Sequence, residues 1–327
     1  MEKRIVVVTG ASAGVGRATA IEFAKHGWHV ALLARGMDGL EGARRDVEKA
    51  GGQAMIIPTD VADQVQIEAA AEKVEAEWGP IEVWVNNAMA TIFSEFIDIA
   101  PEDFKRATDV TYLGTVWGTL AALKRMKPRD HGVIIQVGSA LAYRSIPLQA
   151  PYCGAKSAIR GFTDSLRSEL IHDKSNVQLT MVQLSAFNTP QFDWGKTNLP
   201  DRPKPLGKIF QPEVAAHGIY WAATHRRREL WVGWPAAQAI LGTRVIPGLL
   251  DRYLAKRAFE GQEGNLRVLP TRRDNLHQPV PGDHGAHGRF DQRAVGWSAQ
   301  LRMAMHRWGL AAGALALALL LGTAIAV

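Results

Sequence analysis

Tyr152 and Lys156 stand four residues apart in a stretch of helical spacing, so a phenol and an ammonium share one helix face a single turn apart. A phenol with a pKa of about 10 moves protons poorly near neutral pH. A cation one turn away favours the phenolate and makes the pair an acid–base device, although the spacing alone equally suits a plain amphipathic face. A second constellation lies near the N-terminus, where Thr9-Gly10-Ala11-Ser12-Ala13-Gly14-Val15-Gly16 follows an apolar run and leads into helical spacing. Glycines at such a turn let the chain leave a strand sharply, bring its backbone against a pyrophosphate and pack the helix close to the sheet. The helix start then offers free N–H groups and the positive end of its dipole to the phosphates.

Both features need a scaffold that carries strand ends to one edge. Short apolar, β-branched runs at residues 5–8, 29–34, 53–58, 81–85, 132–137, 177–184 and about 230–233 alternate with helical spacing at 16–26, 37–50, 65–78, 104–127 and 155–172. That alternation predicts an α/β fold: a doubly wound parallel sheet of about seven strands, a Rossmann fold, over residues 1–260. No repeat is visible. Residues 261–300 shift to Gly, Pro, His, Arg and Asp, with Pro270, Pro279 and Pro281 against any helix, and read as an extended linker or a surface-hugging arm. His284 and His287 within it lack a third ligand, so no metal is expected.

The order of these features resembles the short-chain dehydrogenase/reductase family over roughly residues 3–235. The TGxxxGxG spacing of Thr9 to Gly16 is the family's own. Asp60-Val61 after the third strand is similar to its adenine-contacting pair, and Asn86-Asn87-Ala88-Met89 resembles its NNAG turn with Met in the last place. Tyr152-Cys153-Gly154-Ala155-Lys156 supplies YxxxK, and Ser139 falls 13 residues before the tyrosine. The resemblance implies hydride transfer between an alcohol or carbonyl and a nicotinamide. Ser139 would orient the substrate oxygen, Tyr152 would act as general acid or base, and Lys156 would bond the nicotinamide ribose and lower the tyrosine's pKa. The implied cofactor contacts are Thr9, Gly10, Ser12, Gly14, Val15, Gly16, Arg35, Asp60, Val61, Asn87, Ala88, Tyr152, Lys156, Phe187 and Thr189.

Arg35, just after the second strand, points to NADP(H) rather than NAD(H), because a guanidinium binds a 2′-phosphate that a carboxylate would repel. Ser12 and Arg17 are candidates to assist it. Two departures from the family stand out. Thr111 replaces the asparagine that holds a relay water, and Ser185-Ala186 replaces the Pro-Gly after the sixth strand. Residues 190–210, with Phe192 and Trp194, fall where the family places its substrate lid, consistent with a small or lipophilic substrate. The alternative is a catalytically weak nucleotide sensor or scaffold, against which the retention of Ser139, Tyr152 and Lys156 argues.

The 327 residues are 47% apolar, enough for a sizeable core, and the single cysteine excludes an intrachain disulfide. A net charge of +6 is spread along the chain rather than gathered in a stripe with aromatics, so nucleic acid is not an expected partner. The N-terminus carries no secretory pattern. Residues 310–327 hold no charge and no proline, and Arg302, His306, Arg307 and Trp308 precede them. This collar and run read as a membrane anchor over 301–327, a transmembrane helix holding the catalytic domain in the cytoplasm. Family resemblance adds an expected homo-oligomer. Trp221, Trp231 and Trp234 are expected in the core or an oligomer face.

Overall fold

The computed structural model describes residues 3–306. Seven parallel strands form the central sheet: β1 (Ile5–Thr9), β2 (His29–Ala34), β3 (Gln53–Pro58), β4 (Val83–Asn86), β5 (Val133–Ser139), β6 (Gln178–Leu184) and β7 (Glu229–Val232). Their spatial order is β7-β6-β5-β4-β1-β2-β3. The chain starts in the middle, winds out to one edge, then crosses back and fills the other. The two crossings leave a switch point between β1 and β4, and the carboxyl ends beside it are where open sheets of this kind hold ligands.

Helices cover both faces. On one side lie α1 (Gly14–Lys25) and α2 (Met37–Lys49); on the other, α3 (Gln64–Trp78). The strands are largely apolar because both faces are covered, and β1 is buried at all five positions. Val6 and Val8 pack toward Phe23 and Leu40, while Ile5 and Val7 pack toward Ile67 and Val74. The alternation of a strand thus supplies two separate cores.

The helical spacing read as one run at 104–127 is three elements: α4 (Pro101–Thr108), a π turn (Asp109–Leu113) and α5 (Gly114–Met126). A π turn inserts a residue into the ladder and is invisible to a hydrophobic period. α6 (Ala150–His172) starts one turn earlier than its spacing suggested, with Pro151 in its first turn, where a missing N–H does no harm. Beyond these come a single-turn helix α7 (Gln191–Trp194), then α8 (Pro212–Thr224), α9 (Trp234–Val245), α10 (Pro247–Gln262) and α11 (Ala299–Met305). Trp221 is buried and stacked on His225, whereas Trp234 at the start of α9 is exposed.

A buried polar knot under the sheet's working edge has no counterpart in the sequence reading. Asn86 at the end of β4 accepts from the Trp84 indole at 2.8 Å and donates to Thr119 and to Gln136, both at 3.0 Å. Gln136 donates to Thr119 at 2.8 Å. These groups satisfy each other away from water and fix β4, β5 and α5 in register.

The segment 261–300 runs back over the domain. Residues Glu263–Arg267 pair antiparallel with Asp201–Pro203, and Ala294–Val295 pairs with Ile209–Phe210. Among the described residues no helix is long and apolar enough to cross a membrane, and the apolar run at 310–327 lies outside them. No group of three His, Cys, Asp or Glu among the described residues could hold a metal; His287 pairs with Glu213 at 2.9 Å, and His284 lies edge-on to Trp194.

Candidate active site

A cavity of about 470 Å³ opens at the carboxyl ends of the strands, at the switch point. Its floor is the glycine turn. Gly10 has a φ of +66°, and a Cβ on Gly16 would lie 2.2 Å from the Gly10 carbonyl and 2.4 Å from the Asn87 amide, so neither position tolerates a side chain. Thr9 and Asn87 clamp the two strand ends together: the Asn87 side chain donates to Thr9 O at 2.9 Å, and Thr9 Oγ1 accepts from the N–H groups of Asn87 and Ala88. At the start of α1, the Gly14 N–H goes to Gly285 O at 3.1 Å and that of Arg17 to Ala13 O. The N–H groups of Val15 and Gly16 remain in the first turn for an anion.

Arg35, Ser12, Asp60 and Val61 line one end of this cavity. The Asp60 carboxylate is paired with Arg106 at 2.6 Å and caps the Ala62 N–H, while Val61 is buried against Gly114. Arg35 donates through Nη1 to Leu276 O at 3.2 Å and His277 O at 3.0 Å, and through Nη2 to Asn275 O. Those three bonds leave Nε–H and one Nη2 hydrogen among its five donors. Burial and neighbouring Arg106 hold its pKa below the usual value, with Asp60 opposing. Arg17, a candidate assistant, is spent elsewhere. Its buried guanidinium is ion-paired with Asp46 and Asp283, so it has no share in the cavity.

At the other end stand Tyr152, Lys156, Phe187 and Thr189. Ser139 closes β5, and its Oγ accepts from Leu141 N–H at 3.1 Å while also bonding the Tyr152 phenol. Lys156 is buried, donates to Val137 O at 2.6 Å and lies 5.6 Å from the centre of the Tyr152 ring. Burial pushes Tyr152 up to about 12, against the Ser139 hydrogen bond that favours phenolate, and burial brings Lys156 down to about 8. In the chain without nucleotide, desolvation outweighs any lowering of the tyrosine by Lys156. The ammonium sits against the ring and spends its hydrogen bond on a carbonyl, so desolvation wins. Tyr152 is a neutral phenol at pH 7, the form that gives a proton.

Thr111 does not reach the cavity wall. Its hydroxyl donates to Ala90 O at 3.0 Å and accepts from Ala90 N–H at 2.9 Å, so it braces the turn after β4 from within the π turn. Ser185, in the place of the family's proline, bonds Val232 O at 2.7 Å and caps Ala236 N–H at 3.1 Å, joining the ends of β6 and β7. Trp194 from α7, in the segment expected as a lid, lines the wall, and residues that no motif flagged complete it: Met37 and Asp38 from α2, and Asn275, Pro279, Val280, Pro281, Gly282 and His284 from the C-terminal arm. Only the change in composition after residue 260 marked the arm as different.

Comparison with known proteins fits this geometry. The family model described as short chain dehydrogenase matches residues 4–196. An uncharacterised oxidoreductase of Bacillus subtilis is 31% identical over 87% of this chain and 80% of its own length, and the estradiol 17-beta-dehydrogenase 11 of Pongo abelii is 30% identical over 77% and 81%. Among solved structures, an alcohol dehydrogenase from the archaeon Thermococcus sibiricus complexed with 5-hydroxy-NADP superimposes with a TM-score of 0.61 at 26% identity, covering 71% of this chain and 96% of that one. A metagenomic short-chain oxidoreductase in complex with NADP gives 0.60 at 25% identity, covering 70% and 96%. The chain belongs to the short-chain dehydrogenase family and is an oxidoreductase of that kind.

Proposed function

We propose that this chain interconverts a small or lipophilic alcohol and its carbonyl with NADP(H). The observation that carries the reading is one cavity lined by a proton-bearing Tyr152 and by Lys156, with Ser139 behind the phenol, and by Arg35. The residues fit the dinucleotide: a glycine floor without side chains, helix-start N–H groups for the pyrophosphate, and a guanidinium with donors to spare for a 2′-phosphate. The two carboxylates near Arg35 do not oppose that phosphate freely, since Asp60 is paired with Arg106 and Asp38 accepts from Gly282 N–H at 2.8 Å. The NADP complexes of the two structural neighbours support the same choice.

When bound, the nicotinamide gives or takes the hydride. Ser139 holds the substrate oxygen and, with Tyr152, aligns it for proton transfer. Tyr152 then delivers its phenolic proton to that oxygen, and Lys156 stabilises the phenolate left behind. Thr111 acts as a positioning residue, keeping the turn 87–90 in place. The test is NADPH oxidation, with NADH alongside, against a panel of aldehydes, ketones and quinones. Turnover with NADPH supports the reading; tight nucleotide binding without any turnover on a broad panel would favour a sensor.

Protonation of Lys156 gives a pH dependence with a definite sign. The ammonium, its pKa brought down to about 8, is present below that value and lost above it. The kcat/KM for NADPH in carbonyl reduction should therefore be flat near pH 6 to 7 and fall as pH rises through about 8. Lys156→Arg, slower overall, should keep its rate constant to at least about pH 10, because a guanidinium does not titrate there. A profile of unchanged shape in that variant would exclude Lys156 as the group responsible.

The run at 310–327 is part of the same proposal, as a tail anchor that keeps the enzyme where lipophilic substrates concentrate. Full-length protein should stay with membranes after carbonate extraction, and protein lacking residues 308–327 should be released. Equal release of both would remove the anchor.

A further inference from the structure

We propose that residues 274–288 form a strap across the outer rim of the nucleotide cavity, which has to lift before the cofactor enters or leaves. The inference rests on the NADP(H) reading. The strap follows the cavity from end to end. Leu276 is fully buried in the core that also holds Val61 and Val110, and its carbonyl accepts from both Arg35 and Arg106. His277 meets Asp103 at 2.8 Å. Further along, Gly282 N–H donates to Asp38, Asp283 pairs with Arg17 and with Arg45, and Gly285 O receives the Gly14 N–H of the phosphate turn. The run ends at Gly288, whose N–H bonds Asn188 O at 3.2 Å.

Two features make this a fitted part and not a loop lying over a surface. A Cβ on Gly42 would fall 2.1 Å from Asp283 Oδ2, so α2 leaves out a side chain where the strap's carboxylate is seated. A Cβ on Gly288 would likewise fall 2.5 Å from Thr189 O, beside the cavity. The stretch also carries cavity wall: Asn275, Pro279, Val280, Pro281, Gly282 and His284 all line it. A nucleotide lying between the glycine turn and these residues is enclosed on the side from which it would otherwise dissociate.

The bonds across the middle suit a part that opens. From Pro279 to Gly285 the contacts are backbone hydrogen bonds, the edge-on contact of His284 with Trp194 and the partly exposed Arg45–Asp283 pair, which contribute little each in water, while Asp283 also pairs with the buried Arg17 guanidinium. The two ends are firmer, with Leu276 in the core and the pairing of Ala294–Val295 with Ile209–Phe210. Local opening between firm anchors requires no disruption of the sheet.

The experiment is stopped-flow fluorescence of NADPH, and of NADH, binding to the full chain. Asp283→Asn should raise the association and dissociation rate constants together, each by about fivefold, so that Kd moves less than either rate. A second variant combines Gly42→Cys with Asp283→Cys, two positions close enough for a disulfide. Oxidised, it should slow both rates by about tenfold or more, and a reductant should restore them. Rates indifferent to the redox state of that pair overturn the strap, and so does an Asp283→Asn protein in which dissociation alone rises, since that is the behaviour of a direct contact. A wild-type chain that binds neither nucleotide sinks the cofactor reading and the strap with it. NADH binding under the same disulfide control, without NADPH binding, keeps the strap and removes only the choice of NADP(H).

Discussion

Tyr152→Phe is expected to lower kcat for carbonyl reduction by about a thousandfold while leaving the Kd for NADPH within about twofold, the loss characteristic of a single general acid. The variant removes one oxygen. The ring still lies 5.6 Å from the Lys156 ammonium, which keeps its bond to Val137 O. The cavity shape and the phosphate turn are untouched, so binding and chemistry should separate cleanly. Ser139 loses its phenolic partner but keeps the Leu141 N–H, so stability should change little. Because Tyr152 stands as a neutral phenol, the wild-type reductive rate does not wait on ionisation of that group. The remaining rate of the variant should come from positioning alone and should lack the phenol's contribution at every pH. A variant that retains kcat would assign the proton to another donor, and one that loses NADPH binding would make Tyr152 a cofactor contact foremost.

The sheet was legible because parallel strands covered on both faces are largely apolar, and residues 5–8 announce themselves in that way. The phosphate turn was legible because its glycines answer a local demand: Gly10 and Gly16 have no room for a side chain whatever the rest of the chain does. Tyr152 and Lys156 were readable as a pair through helical geometry, but their protonation was not. That depends on how completely the surrounding fold excludes water, and in this chain burial outweighs the neighbouring charge. The π turn at Asp109–Leu113 escaped notice because it shifts the ladder by one residue without altering the apolar period. Thr111 stands near the chemistry by its position in a motif, yet its hydroxyl bonds the Ala90 backbone, a partner 21 residues away that no local pattern encodes. The arm was hardest to read. Its contacts join Asp283 to Arg17 and Asn275 to Arg35 across more than 200 residues, and no local periodicity encodes such pairs.

Arg35→Ser should weaken NADPH roughly 10- to 100-fold, as expected when charge-assisted bonds to a phosphate are removed, and should leave NADH close to wild type. Arg35→Glu should go further and reverse the preference, because its carboxylate repels a 2′-phosphate and can accept the ribose hydroxyls of NADH. Arg35 also holds three carbonyls of the strap, so its loss has a second consequence that the nucleotides themselves distinguish. Loosening the strap accelerates exchange of NADPH and NADH alike, whereas loss of the phosphate contact acts on NADPH alone. Asp283→Asn, which touches the strap but not the guanidinium, should therefore speed both nucleotides without altering the ratio of their affinities. In Arg35→Ser the ratio should collapse and NADH exchange should quicken as well. If the ratio holds in Arg35→Ser while both exchange rates rise, Arg35 is an anchor for the strap and not a reader of the 2′-phosphate. Selectivity would then have to reside elsewhere at that end of the cavity, with Ser12 the first candidate, and Ser12→Ala, measured by the same pair of titrations, would test it.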